Sequence, residues 1–269
     1  MKILAVSGGI DSVVMLDYLA RSSDEPLFVA HFDHGIRSNS HEDAEFVERL
    51  AKEYKLPFEC GHAKLGADCS EAAARDARYR FLFDLAKKHS ASICVAHHAD
   101  DIIESIVINL LRGTGWRGLT PMQNPEIERP LQNWRKTEIY RYATDHNLSF
   151  RQDPTNVEDT YLRNRVREKL RDFPEASKQK MLKLYTSQCS LKIEIDDILS
   201  TIPKQTRYDK DFAKDQEVLR YILNLHDIHL TRPQLKNCQD AISQLSPGKL
   251  HSLDADHFIK VNKYSFELV

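Results

Sequence analysis

Paired cysteines are missing from this chain. Its five cysteines, Cys60, Cys69, Cys94, Cys189 and Cys238, stand far apart with no C-x-x-C spacing. That pattern argues against a zinc site, an iron–sulfur cluster or a disulfide framework, and fits a reducing compartment such as the cytoplasm. Long apolar runs are also lacking, so no segment reads as a bilayer span and no membrane role is expected. The chain opens directly on a core-type strand, from which no signal peptide is expected. Neither charge sign dominates: the formal net charge is −2 over 269 residues. An anionic partner such as nucleic acid is therefore signalled only by local patches, not by total charge. Glycine is scarce as well, with nine residues, so each cluster of them carries information.

The first cluster lies in Ser7-Gly8-Gly9-Ile10-Asp11-Ser12. An apolar run, Ile3-Leu4-Ala5-Val6, precedes it and an apolar helical pattern follows, which reads as strand, tight loop and helix. Glycines let the backbone turn and approach a ligand closely. A helix start offers free N–H groups and partial positive charge, the natural seat of a phosphate. Ser7 and Ser12 add hydroxyls. Asp11 repels phosphate unless a cation screens it, and Mg²⁺ is the simplest such cation. A plain strand–helix turn with a serine cap is the bland alternative, and Gly-Gly alone would not exclude it. The hexapeptide matches neither the dinucleotide pattern nor the Walker loop. It resembles the pyrophosphate loop of the N-type ATP pyrophosphatases, which implies ATP as a substrate split to AMP and pyrophosphate.

Strand and helix signals alternate through the first half. Strands are expected at Leu27–Phe32, Pro57–Cys60 and Ser92–Ala96, with helices over 41–55 (Ser40 capping, Asp43 as its capping-box partner), 71–88 and 100–112. Such alternation predicts an α/β fold, a parallel sheet with helices on both faces. Ligands of these sheets bind beyond the carboxyl ends of the strands. Ser7–Ser12, His31–His34 (with Asp33) and His97–Asp101 are therefore expected to line one crevice. On the helix after the fourth strand, Ile102, Ile103, Ile106, Val107, Leu110 and Leu111 form the expected buried face, opposite Asp101, Glu104, Ser105, Asn109 and Arg112. Asp101 and Glu104, three apart, point the same way. Acids in a first turn often only complement the helix dipole, but the pair beside His97 and His98 suits a cation, either Mg²⁺ or an ammonium group.

Three further glycines fall in Arg112-Gly113-Thr114-Gly115-Trp116-Arg117-Gly118-Leu119, a loop able to hold phosphates and stack on a base. Arg75 and Arg78 share a face of a small-residue helix, more often a solvated surface than a site. Asp153-Pro154-Thr155-Asn156 reads as a turn. From Tyr161 to Lys183 there are eight Lys or Arg against three Asp or Glu. Arg163 and Arg167 share a helical face there, with Leu162, Val166 and Leu170 as the buried stripe, and the single sign of the charge favours an anionic partner. A boundary is expected near Asp172-Phe173-Pro174, giving a catalytic domain over 1–173 and a small accessory domain over 174–269. The latter is expected to be mainly helical, with one long helix over 175–200, shorter ones at Val218–Leu225 and Arg232–Leu245, and a terminal β-hairpin.

Taken together, the motifs resemble a narrower family. Beyond the phosphate loop they are His31–Ser40, Glu71–Tyr79, Ala96–Asp101 with Glu104, Arg112–Leu119, Arg129-Pro130-Leu131, Asp153–Asn156 and Arg163–Arg167. In this order they resemble the tRNA(Ile)-lysidine synthetases over essentially all of residues 1–171. The resemblance implies that ATP adenylates the C2 oxygen of cytidine 34 in the CAU anticodon of tRNA(Ile), and that the ε-amine of free L-lysine then displaces AMP. It implies ATP held by Ser7, Gly8, Gly9, Ile10, Asp11 and Ser12, with Mg²⁺ near Asp11 and lysine at Asp101 and Glu104. Asp33, Arg75, Arg78, Asp101, Glu104 and Arg112 are its catalytic candidates. The tRNA would lie along Arg112, Arg117, Arg163, Arg165 and Arg167, and a homodimer is compatible with the family. The C-terminal 96 residues match only weakly. Competing readings are a 2-thiolating tRNA enzyme, which would need cysteine chemistry, a small-molecule amide synthetase, and a non-catalytic nucleotide- or tRNA-binding module.

Overall fold

The computed structural model describes residues 1–35, 40–63, 69, 71–151 and 162–269. The expected Asp153–Asn156 turn, residues 36–39 and Tyr161 lie outside the described residues. The chain divides into two compact units, Met1–Gln188 and Cys189–Val269.

The first unit is built on five short parallel strands, β1 (Lys2–Ala5), β2 (Leu27–Asp33), β3 (Phe58–His62), β4 (Ser92–Cys94) and β5 (Ile127–Glu128), in the order β3-β2-β1-β4-β5. Successive side chains of a strand point to opposite faces, and the packing follows that rule. Leu4, Leu27 and Val29 join one core with α1 (Ile10–Ser22), α2 (Ser40–Glu53) and α5 (Lys136–Asp145). Their neighbours Ile3, Phe28, Ala30 and Ile93 join a second core with Leu82 and Leu85 of α3 (Glu71–His89). The sheet is therefore covered on both faces. From β1 the chain builds outward to β2 and β3, then returns to the other side of β1 as β4. The switch point between β1 and β4 is where such sheets open a crevice at their carboxyl ends.

The helix after β4, α4 (Ala99–Leu111), corrects the expected faces. Glu104, Ser105 and Ile108 are buried, whereas Leu110 and Leu111 are exposed, 54% and 66%. The reason is a partner that periodicity alone does not reveal: α6 (Leu162–Arg171) packs on the side that carries Glu104. The next helix, α7 (Glu175–Ser200), is the long helix expected, and the division between the two compact units falls inside it. Its first half is tied into the first unit, where Tyr185 accepts from Gln123 at 2.7 Å and donates to the Pro121 carbonyl.

The second unit has more sheet than a hairpin. β6 (Arg207–Asp209), β7 (Leu250–Ser252), β8 (Phe258–Val261) and β9 (Ser265–Leu268) form an antiparallel sheet in the order β6-β9-β8-β7. With α8 (Gln216–Leu225) and α9 (Arg232–Gln244) it encloses a core of Tyr208, Leu219, Ile222, Leu235, Ile242, Ile259 and Phe266. Among the described residues, no helix is long and apolar enough to cross a membrane.

Candidate active site

The phosphate loop is shaped by its own side chains. Gly8 sits at φ +89°, a conformation that disfavours any residue with a Cβ, and a Cβ there would also press on Phe46 at 3.2 Å. Ser12 is buried; its hydroxyl donates to the Gly9 carbonyl at 2.8 Å and accepts from the Ser7 amide at 3.1 Å. Gly9 is the N-cap of α1, so the amides of Ile10, Asp11 and Ser12 have no carbonyl one turn back and are offered to a ligand. Below the loop, the buried His31 ring donates to the Val6 carbonyl at 2.8 Å. The Arg151 amide donates to the Gly8 carbonyl at 2.9 Å, while its guanidinium meets Glu42 at 2.8 Å and Asp43 at 2.5 Å.

Three helix N-termini meet at this point, those of α1, α4 and α5. The Asp100 carboxylate joins the last two. It accepts two bonds from Arg135, at 2.6 and 3.2 Å, and a third from the Lys136 amide at 2.8 Å. Burial alone would raise the Asp100 carboxyl, but Arg135 and the Lys136 amide hold it below the usual carboxylate range. This clasp sets the Lys136 ammonium 2.5 Å from Asp11 Oδ1. His98 Nε2 lies between two acids, 3.8 Å from Asp11 and 3.5 Å from Asp101.

Asp101 Oδ2 also accepts from the His98 amide at 2.9 Å. Glu104 is met by an arginine of the chain itself: Arg167 donates Nε to Oε1 at 2.8 Å and Nη2 to Oε2 at 3.0 Å, and lies 3.9 Å from Asp101. The pairing with Glu104 raises the Arg167 pKa further. A cation of the chain itself thus meets the acid pair, and the Arg167 guanidinium is engaged by Glu104 while its side chain stays 41% exposed.

Arg75 and Arg78 both lie over the Tyr79 ring, at 5.0 and 5.4 Å. Their effect reaches the crevice. Burial, together with the positive charge of Arg75, Arg129 and Arg78, pushes His97 down to about 4 against the pull of Asp101. His97 is therefore a neutral imidazole at physiological pH. Asp33 belongs to a neighbouring cluster, accepting from the Gly35 amide at 2.8 Å and lying 3.9 Å from His62.

Arg112 is not brought to these residues. It caps the far end of α4, and at 1.5 Å per residue that end lies about 16 Å from Asp101. There Gly113, at φ +70°, closes a Schellman motif: its amide donates to the Leu110 carbonyl and that of Thr114 to the Asn109 carbonyl. Arg117 of the following 3₁₀ turn stacks on Trp116 at 4.7 Å. On α6, Arg165 is exposed and Arg163 is half-buried.

Lys136, Arg135, Asp100 and Arg151 escape a reading by motif. Lys136 stands 125 positions from Asp11, and its element, α5, buries only Ile139 and Ala143. The available signal was Arg135-Lys136 at the start of a helix that Glu138 caps at 2.7 Å.

A parallel sheet whose first strand runs into a serine-glycine loop at the switch point defines a phosphate-loop α/β domain. The chain belongs to the PP-loop domain family, whose model matches residues 2–173. Among its relatives, the tRNA(Ile)-lysidine synthase of Caldanaerobacter subterraneus subsp. tengcongensis is 34% identical over 258 residues, covering 90% of this chain and 53% of that protein. The Bacillus subtilis protein of the same name is 33% identical, covering 75% of this chain and 46% of its own length. The chain thus spans about half the length of these curated relatives. A solved structure, the U34-tRNA thiolase NcsA of Methanococcus maripaludis with its [4Fe-4S] cluster, superposes with a TM-score of 0.60 at 16% identity, over 71% of each chain. At that identity the likeness concerns the fold alone.

Proposed function

We propose that this chain makes lysidine on tRNA(Ile). The Ser7–Ser12 loop holds ATP. The C2 oxygen of cytidine 34 in the CAU anticodon bonds to the α-phosphorus as the α–β bond breaks, and pyrophosphate leaves. The ε-nitrogen of free L-lysine then bonds to C2, the C2–oxygen bond breaks, and AMP departs with that oxygen. The amine gives up its proton to a nearby base, for which the neutral His97 and the Asp101 carboxylate are the candidates. The observation that supports this reading is that Asp101 lies 3.5 Å from the His98 nitrogen that Asp11 of the phosphate loop approaches at 3.8 Å, with Glu104 three residues further along the same helix as the second acid for the amine. The relatives named tRNA(Ile)-lysidine synthase support it, and their names supply the tRNA substrate.

Because Glu104 is paired with Arg167, an incoming ammonium competes with that guanidinium for the carboxylate. Arg75 and Arg78 offset charge that builds on the phosphates, a task from which Arg112 is too distant. Arg112, Arg117, Arg163 and Arg165 are left to the RNA backbone. Mg²⁺ sites commonly use one or two carboxylates plus substrate phosphates. Among the described residues no three acidic, histidine or cysteine groups gather as a metal cluster, but Asp11 and Asp101 converge on one His98 nitrogen and fit such a shared site. When bound, Mg²⁺ neutralises the polyphosphate. A reaction of ATP, lysine and tRNA belongs in the cytoplasm.

A pyrophosphate-release assay tests the proposal. Release that requires both lysine and CAU-anticodon tRNA is expected. Release that requires a sulfur donor instead would favour a thiolating enzyme and contradict it.

A further inference from the structure

Lys136 begins α5, and its position leaves it little freedom. Its own amide is bonded to Asp100 at 2.8 Å, and its neighbour Arg135 is clasped by the same carboxylate and by Glu175. The Ala99 amide also bonds to the Trp134 carbonyl at 2.9 Å, so the starts of α4 and α5 are stapled together by both main chain and side chain. From this mount the ammonium reaches across to Asp11 at 2.5 Å and is one-third exposed, as is Asp11. The Asp11 and Lys136 side chains stand at the starts of α1 and α5, and His98 at the start of α4 lies 3.8 Å from the same Asp11 oxygen. Asp11 is a liability there on its own, since a carboxylate beside an outer phosphate is repelled by it. A lysine ammonium has three donors and no acceptor, so one donor on Asp11 leaves others for a second anion.

We propose that Lys136 is a catalytic residue of the nucleotide site, an ammonium that bridges the Asp11 carboxylate and an outer phosphate oxygen of the bound polyphosphate. It offsets the charge of the one acid within the loop, alongside any Mg²⁺ held there, and follows the phosphoryl charge as pyrophosphate forms. This rests on the proposed seating of ATP at Ser7–Ser12. It gives α5 and the Asp100–Arg135 clasp a task in the site, that of aiming Lys136.

The test is a double-mutant cycle read by calorimetry on the full chain, using Lys136→Met, Asp11→Asn, the double variant and Lys136→Arg, each titrated with ATP and with AMP. AMP lacks the outer phosphates. Lys136→Met is expected to weaken ATP at least tenfold while AMP stays within twofold, and Lys136→Arg to recover most of the loss. In the Asp11→Asn background, Lys136→Met is expected still to cost ATP affinity several-fold. If ATP and AMP weaken equally, or if the loss vanishes once Asp11 is neutral, Lys136 only balances Asp11 and the proposal fails. Should Lys136→Met not fold, Lys136→Gln replaces it, with Lys136→Arg as the folding control. A wild-type chain that binds no ATP overturns the nucleotide reading and this inference together. Wild-type affinity retained in Lys136→Met overturns the inference alone.

Discussion

Burial and charge act together on single residues here, and two of them give measurable consequences. Glu104 is nearly enclosed, with its side chain 6% exposed, and Arg167 is its bidentate partner. Removing one member of such a pair strands the other. Arg167→Ala should therefore destabilise the first unit by about 2–3 kcal/mol, less than a fully buried pair because Arg167 is partly solvated. Adding Glu104→Gln should return part of that loss, as read by urea unfolding. His97 gives a pH dependence. Its pKa is lowered on folding, to about 4 from the ordinary 6.5, so between those values the unfolded chain binds the proton and the folded chain does not. Stability is then complete above pH 6.5 and is lost as pH falls toward 4, by up to about 1.4 kcal/mol per pH unit. Buried His31 is shifted the same way. Melting temperatures should decline from pH 7 to 5, and His97→Asn should flatten the decline. The sequence made His97, Asp101 and Glu104 visible because they are close neighbours on one helix start. Arg167 was visible only as one of a run of like charges, and its inward turn depends on a contact 63 residues away.

At the scale of elements, the phosphate loop stands on α1, and α1 is held by a buried acid. Asp17 has no exposure; it accepts from Arg21 at 2.7 Å, from Tyr54 at 2.5 Å just past α2, and from Tyr142 of α5 at 2.8 Å. Burial would raise its carboxyl, yet these partners keep it below the usual range, while burial and Asp17 push Tyr142 up to about 12. Asp17→Ala leaves two tyrosine hydroxyls and an arginine without their acceptor. It should cost about 3 kcal/mol in chemical denaturation. It should also weaken nucleotide binding, because the loop loses its fixed footing. Asp17 reads in the sequence as an ordinary helical acid. What made β1, β2 and α4 legible was a long enough apolar pattern. β5 has two residues, β6 three with one buried side chain, and α5 a single buried pair four apart. Segments that short carry no periodicity, and tertiary contacts decide them.

Over the whole chain, two compact units predict two events. The sheet cores of the first unit and the core around Tyr208 and Phe266 in the second share no residues, so unfolding need not be one cooperative step. Calorimetry is expected to resolve two transitions. ATP should raise the one belonging to residues 1–188 by about 2.7 kcal/mol at a hundredfold excess over its Kd and leave the other in place. A single transition that shifts as one would contradict this. The central claim, that an ATP-fed loop faces an acid pair that receives lysine, is tested most directly by mass spectrometry of CAU-anticodon tRNA(Ile) incubated with the chain, ATP and isotope-labelled lysine. The account predicts labelled lysidine at cytidine 34 with the wild-type chain, and a loss of orders of magnitude with Asp101→Asn although ATP still binds. An unlabelled cytidine 34 with the wild-type chain, or full labelling with Asp101→Asn, would contradict it.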